Sequence, residues 1–179
     1  MTKIESQLKS AFAGFAKQLN TEPKDEVVYA RENELVSLFA FGALAATVRP
    51  GLQLHSLLQI GIEVAVRQKR GRVGAKKAVR KDLVIWTAPG KTLWNSDGDI
   101  ENKPLAIVEW KGGTGKSRKG AARRERPHDL AYLAWAAKSG VEGYSVVAER
   151  IDKVWSINVT RIVKGKPPRE GWFSSESGA

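Results

Sequence analysis

Apolar residues recur along this chain with two distinct periods, and the change from one to the other outlines its elements. Ile4, Leu8, Phe12, Phe15 and Leu19 follow at three- and four-residue spacing. That spacing predicts an N-terminal amphipathic helix over residues 1–20, packed on the body of the protein or on a partner. Thr21 to Glu26, with Pro23, ends it. A second helix is expected from about Val27 to Val48, where Leu35, Leu38, Phe39 and Leu44 form the apolar stripe and Arg49-Pro50-Gly51 stops it. From Leu57 to Val66 the pattern turns strand-like. Asp82-Leu-Val-Ile-Trp86 and Leu105-Ala-Ile-Val-Glu-Trp-Lys111 read as two further strands. Pro127 opens a helix that stops at Ser139-Gly140. Tyr144–Ala148 and Val154–Val163 read as a closing hairpin, and the tail over 164–179, with Pro167, Pro168 and Gly171, as irregular. The expected architecture is α/β, a central mixed sheet flanked by helices, in a single domain over 1–179.

Composition narrows the partners. With 179 residues, 42% of them hydrophobic, the chain can bury one core but is short for two. It has no cysteine, so any metal must sit on oxygen or histidine ligands. No apolar run approaches the roughly 20 residues that span a bilayer, and the N-terminus mixes Lys3, Glu5, Lys9 and Lys17 among its apolar residues. Together these lead to the expectation of a cytoplasmic chain with no membrane partner. The net charge of +11 points to a polyanion. Two segments, Arg67 to Lys81 and Lys111 to Arg126, carry 15 of the 30 basic residues. Lys69, Arg70, Arg72, Lys76 and Lys77 in the first, and Lys116, Arg118, Lys119, Arg123 and Arg124 in the second, are the candidate nucleic-acid contacts. Charge reads the phosphate and not the sugar, so DNA is the expected partner without RNA being set aside.

The chemistry centres on three residues. Side chains alternate across a strand, so Glu109 and Lys111 project from one face. If the strand of Asp82 pairs with theirs, a second carboxylate joins that face. Two carboxylates a few ångström apart repel unless a cation stands between them, and oxygen-only ligands favour Mg2+, with Mn2+ as the alternative. Such an ion would hold a scissile phosphate while Lys111 positions or deprotonates the attacking water.

Glutamate helix, strand, strand with Asp82, strand with Glu109-Trp110-Lys111, helix, strands: over roughly Val27 to Val163 this order resembles the PD-(D/E)xK nuclease superfamily. The resemblance implies a restriction-endonuclease-like fold and hydrolysis of DNA that leaves a 5′-phosphate and a 3′-hydroxyl; endonuclease action is favoured over exonuclease action, with that choice left open. It implies a metal at Asp82, Glu109, Trp110 and Glu34, with Lys111 in the lysine's role. Lys81 stands where the family's proline precedes the aspartate. Glu34 is the match to a helix carboxylate that many members add, because Leu35 and Leu38 follow it, with Glu32 in reserve. His128, 17 residues past Lys111, takes the place of the glutamine in the Gln-x-x-x-Tyr element of RecB-like and lambda-exonuclease-like members, with Tyr132 as its tyrosine. It could hydrogen-bond a phosphate or a metal-bound water. Many members act as dimers, which extends to this chain the expectation of a homodimer through its N-terminal helix.

Other signals weigh less. Gly112-Gly-Thr-Gly-Lys-Ser117 suggests a phosphate-binding P-loop, but Trp110 occupies the place of that motif's first glycine. Of the six tryptophans, Trp86, Trp110 and Trp135 fall where aromatics fill a core, and Trp94 and Trp172 are the candidates for exposed contacts among the rest. Glu63 on the first strand is a weaker auxiliary acid. The principal alternative is a non-catalytic nucleic-acid-binding module on the same scaffold.

Overall fold

The computed structural model describes residues 3–21, 32–68, 78–97, 99, 101–113, 127–151 and 154–175. Their centre is a six-stranded mixed sheet in the order β1 (Ile60–Arg67), β2 (Ala78–Trp86), β3 (Pro104–Gly113), β4 (Glu142–Ile151), β5 (Val154–Ile162) and β6 (Arg169–Ser174). All neighbours are antiparallel except β3 and β4, which run parallel because helix α3 (Pro127–Lys138) joins them. The α/β class is as the sequence leads one to expect.

Helices cover both faces. Helix α1 (Lys3–Thr21) and helix α2 (Glu32–Leu38) share one core with Leu83, Ile85, Ala106, Val108 and Trp110. Helix α3 shares the other with Val84, Trp86 and Ile107. Trp110 is the hub of the first core, with ring centroids of Phe39, Phe15 and Phe12 5.2, 5.9 and 6.1 Å away. Ile4, Leu8, Phe12, Phe15 and Leu19 are all buried there. Helix α1 therefore spends its apolar face on its own sheet. Its N-terminal end is also tied down by charge: Arg161 on β5 reaches Glu5 at 3.1 Å and Glu142 at 2.9 Å, and Trp172 on β6 donates to Glu5 at 2.9 Å. Among the described residues no helix is long and apolar enough to cross a membrane.

Three expectations change. Where one long second helix was expected, α2 passes into a π-helical turn over Phe39–Leu44 and a 3-10 turn over Ala45–Thr47; residues 22–31 lie outside the description. A π turn inserts a residue and rotates the stripe, so Phe39, Ala40 and Leu44 are buried while Leu38 and Phe41 face out. The first strand begins only at Ile60, because Ser56 and Gln59 form a reciprocal cap on a short 3-10 turn before it. The tail is not irregular throughout. After Pro167-Pro168 it adds β6 as an edge strand, a position that tolerates a preceding proline, and it buries Trp172 at 3% exposure. Of the two tryptophans expected to be exposed, only Trp94 is, at 44%.

Candidate active site

The β2–β3 ladder stops at Leu83 and Val108. The reason lies in β1 and β2, where both strands turn over at the same level. Ile60 and Ile62 pack with the α1 core, but Val64 and Val66 pack with the α3 core. On β2, Leu83 and Ile85 belong to the α1 core, whereas Val79 packs with the α3 core and Lys81 Nζ lies 4.0 Å above the ring of Tyr132 on α3. Strict alternation cannot put residues 81 and 83 on opposite faces. The residues at the reversal are Glu63 and Asp82, the pair missing from the register between Ile62↔Leu83 and Val64↔Lys81.

Asp82 at this pivot turns its carboxylate to β3. Its Oδ2 accepts the main-chain N–H of Trp110 at 2.7 Å, a side chain standing where a ladder bond would otherwise form. Beyond this point β3 pairs with β4 as far as Gly113. The gap between β2 and β3 holds four carboxylates and two lysines. Lys111 Nζ lies 3.4 Å from Asp129 Oδ2, 3.6 Å from Glu32 Oε1 and 3.9 Å from Asp82 Oδ2, and it donates to the carbonyl of Trp110. Glu32 Oε2 accepts from the N–H of Gly112 at 3.3 Å. Glu109 pairs with Lys81, and both are buried. Tyr132, whose ring lies under Lys81, donates its hydroxyl to the carbonyl of Arg67 at 2.7 Å.

Burial dominates the electrostatics. Loss of water pushes the Glu109 carboxyl up from 4.5 to about 7; Lys81 opposes that rise, and the charges of Asp82 and Asp129 add to it. Burial, with the Glu109 charge, also pushes the Tyr132 phenol above its ordinary range. When all are ionised, four carboxylates face two ammoniums, a surplus of two negative charges that one divalent cation would cancel. Among the described residues no three acidic or histidine groups stand close enough to make a ready metal cage. The donor set nevertheless suits a hard cation: only oxygens converge, three carboxylates and a carbonyl gather about the single Lys111 ammonium, and Asp129 Oδ2 is buried without a hydrogen-bond donor.

Of the expected residues, Lys111 lies 3.9 Å from Asp82, and Glu109, paired with Lys81, is close enough to Asp82 to feel its charge. Trp110 contributes its main chain to the group while its indole is buried in the opposite core. Two of the expected residues do not reach Lys111. The helix carboxylate that reaches Lys111 is Glu32, not Glu34, which is exposed on the outer side of α2 with Leu38. The side chain on α3 that reaches Lys111 is Asp129; His128, 84% exposed, touches only Asp129 within the group, at 3.5 Å. Lys81 and Asp129 are the residues that sequence reasoning missed. For Asp129 a signal existed: it lies three, four and seven residues before Tyr132, Leu133 and Ala136, all buried, and so sits at the middle of α3's inner stripe.

Lys69, Arg70, Arg72, Lys76, Lys77, Lys116, Arg118, Lys119, Arg123 and Arg124 lie outside the described residues. Their segments leave β1 after Arg67, rejoin at Ala78 on β2, and leave β3 after Gly113. All three points are at the end of the sheet that carries the carboxylates. No protein-family model, curated protein or solved structure matches the chain.

Proposed function

We propose that this chain is a divalent-metal-dependent deoxyribonuclease of the PD-(D/E)xK kind, with a restriction-endonuclease-like fold, that hydrolyses phosphodiester bonds within DNA. The observation that carries the proposal is the meeting of Asp82, Glu109 and Lys111 in one gap of the sheet, with Glu32 from a preceding helix. The net charge of +11, half of whose basic residues lie in two segments rooted at that end, supports a polyanionic substrate.

Asp82, Glu32, Asp129 and the Trp110 carbonyl, gathered about Lys111, together with Glu109 beside Asp82, are the groups that would hold Mg2+ or Mn2+. The ion's contribution when bound is charge stabilisation at the phosphate and a lowered pKa of the attacking water. Lys111, fixed among carboxylates at the end of β3, orients that water and offsets charge on the phosphate. The resemblance adds a 5′-phosphate and a 3′-hydroxyl as products.

One observation favours the second reading, a non-catalytic nucleic-acid-binding module. Lys81 and Lys111 already neutralise carboxylates from within the chain, as they would in a site that never receives a metal. Lys111→Ala separates the two. A nuclease loses cleavage but keeps salt-sensitive binding to duplex DNA in a gel-shift titration; a binding module has no cleavage to lose.

A further inference from the structure

Glu63 has φ of 53° and is the only non-glycine residue with positive φ among those described. A left-handed residue with a side chain is costly anywhere, and in the middle of a strand it must be enforced by its surroundings. Here it has a visible consequence. Residues three apart in an extended strand are separated by roughly 10 Å. A Cβ built on Gly61, however, would stand only 2.9 Å from both γ-methyls of Val64. The strand is therefore wound back on itself across Glu63, and glycine at 61 makes room for it. At this level β1 changes faces, and β2 changes faces with it opposite, at Asp82.

We propose that Glu63 is a positioning residue: its left-handed backbone turns the β1–β2 hairpin over at Asp82 and thereby sets the Asp82 carboxylate against the Trp110 amide. Without the reversal, Lys81 and Leu83 would share a face. Lys81 would then leave Glu109, and β2 would be free to continue its ladder along β3 and close the gap that holds the carboxylates. Glu63 acts through its backbone, so its own carboxylate, which is exposed, is dispensable. The link from this geometry to cleavage rests on the nuclease reading; the geometry itself does not.

The test uses the full chain and reads two quantities, amide hydrogen exchange at Trp110 by NMR and steady-state cleavage of duplex DNA. Asp82→Ala establishes that Trp110 protection reports the bond to Asp82. Glu63→Gly keeps the left-handed backbone accessible, and Glu63→Gln keeps the side-chain length without charge. Both are expected to retain Trp110 protection and turnover. Glu63→Val opposes the left-handed conformation, and Gly61→Ala crowds Val64. Each should speed Trp110 exchange by at least about tenfold and lower kcat by a similar factor while leaving KM for DNA nearly unchanged. Wild-type protection in Glu63→Val or Gly61→Ala overturns the proposal. So does loss of protection in Glu63→Gly, a variant that relieves strain and is expected to fold. Protection kept but turnover lost in Glu63→Gln would make the carboxylate itself the functional group and also overturns it. If the wild-type protein cuts no DNA, the nuclease reading fails, and the exchange pattern still decides the role of Glu63.

Discussion

Replacing Glu109 by Gln should make the protein more stable at pH 8 while abolishing its proposed activity. Burial places the Glu109 carboxyl at about 7, against 4.5 in an unstructured chain. Between those values the folded state holds the proton more tightly than the unfolded state. Its stabilising effect is therefore complete below about pH 4.5 and is lost as pH rises through about 7. The gap, at about 1.4 kcal/mol per pH unit, is worth on the order of 3 kcal/mol. Glutamine is close in shape to the protonated acid and cannot ionise. The variant should match the wild type near pH 5 and exceed it at pH 8. In urea, with a slope of about 2 kcal/mol per molar, the wild-type midpoint should fall by roughly 1.5 M more than the variant's between pH 5 and pH 8. Comparing the two proteins cancels the other carboxylates. The competing effect is the attraction between Glu109 and Lys81, since removing one partner of a buried pair commonly costs about 3–5 kcal/mol. If Glu109→Gln is the less stable protein at pH 8, or if both proteins show the same pH slope, attraction outweighs desolvation and the reasoning is refuted.

Three further outcomes follow from contacts in the structure. Gly112→Ala places a Cβ 2.1 Å from the carbonyl oxygen of Ala148 and must part β3 from β4; a loss of about 2–3 kcal/mol is expected, seen as a melting temperature lower by roughly 5–10 °C, and an unchanged melt contradicts it. Asp129→Asn should lower cleavage by at least about tenfold, whereas His128→Ala, at an exposed position, should change it by no more than about twofold; the reverse ranking in initial-rate assays would reinstate the histidine. Trp172→Phe removes the donor to Glu5 and should cost about 1–2 kcal/mol in urea unfolding, a loss that a free indole would not produce.

The parts of the fold carried by periodicity were open to reading. Five apolar positions of α1, two apolar strands with acids at their ends, and a helix between Pro127 and Gly140 each state their element locally. What stayed hidden depends on phase and on one backbone dihedral. Glu32 lies three, four and seven residues before the buried Leu35, Val36 and Phe39, and so marks the inner side of α2. Glu34 looked better placed only because Leu38, which the structure exposes, was counted as core. Lys81 follows Arg80 in a basic stretch and reads as solvated; its burial against Glu109 requires the reversal at Glu63, and no composition or spacing announces a left-handed glutamate. The sixth strand was masked by its prolines, although Trp172 and Phe173 beyond them supply the apolar side chains that an edge strand needs.

The central claim is that the carboxylates about Lys111 serve metal-dependent cleavage. Supercoiled plasmid and linear duplex DNA incubated with the purified protein test it directly, in Mg2+, Mn2+ or EDTA and beside Asp82→Ala. The account predicts nicking or linearisation of the plasmid with either metal and none in EDTA or with Asp82→Ala. Intact DNA under every metal, with tight and salt-sensitive binding, would contradict it and leave a nucleic-acid-binding module in its place.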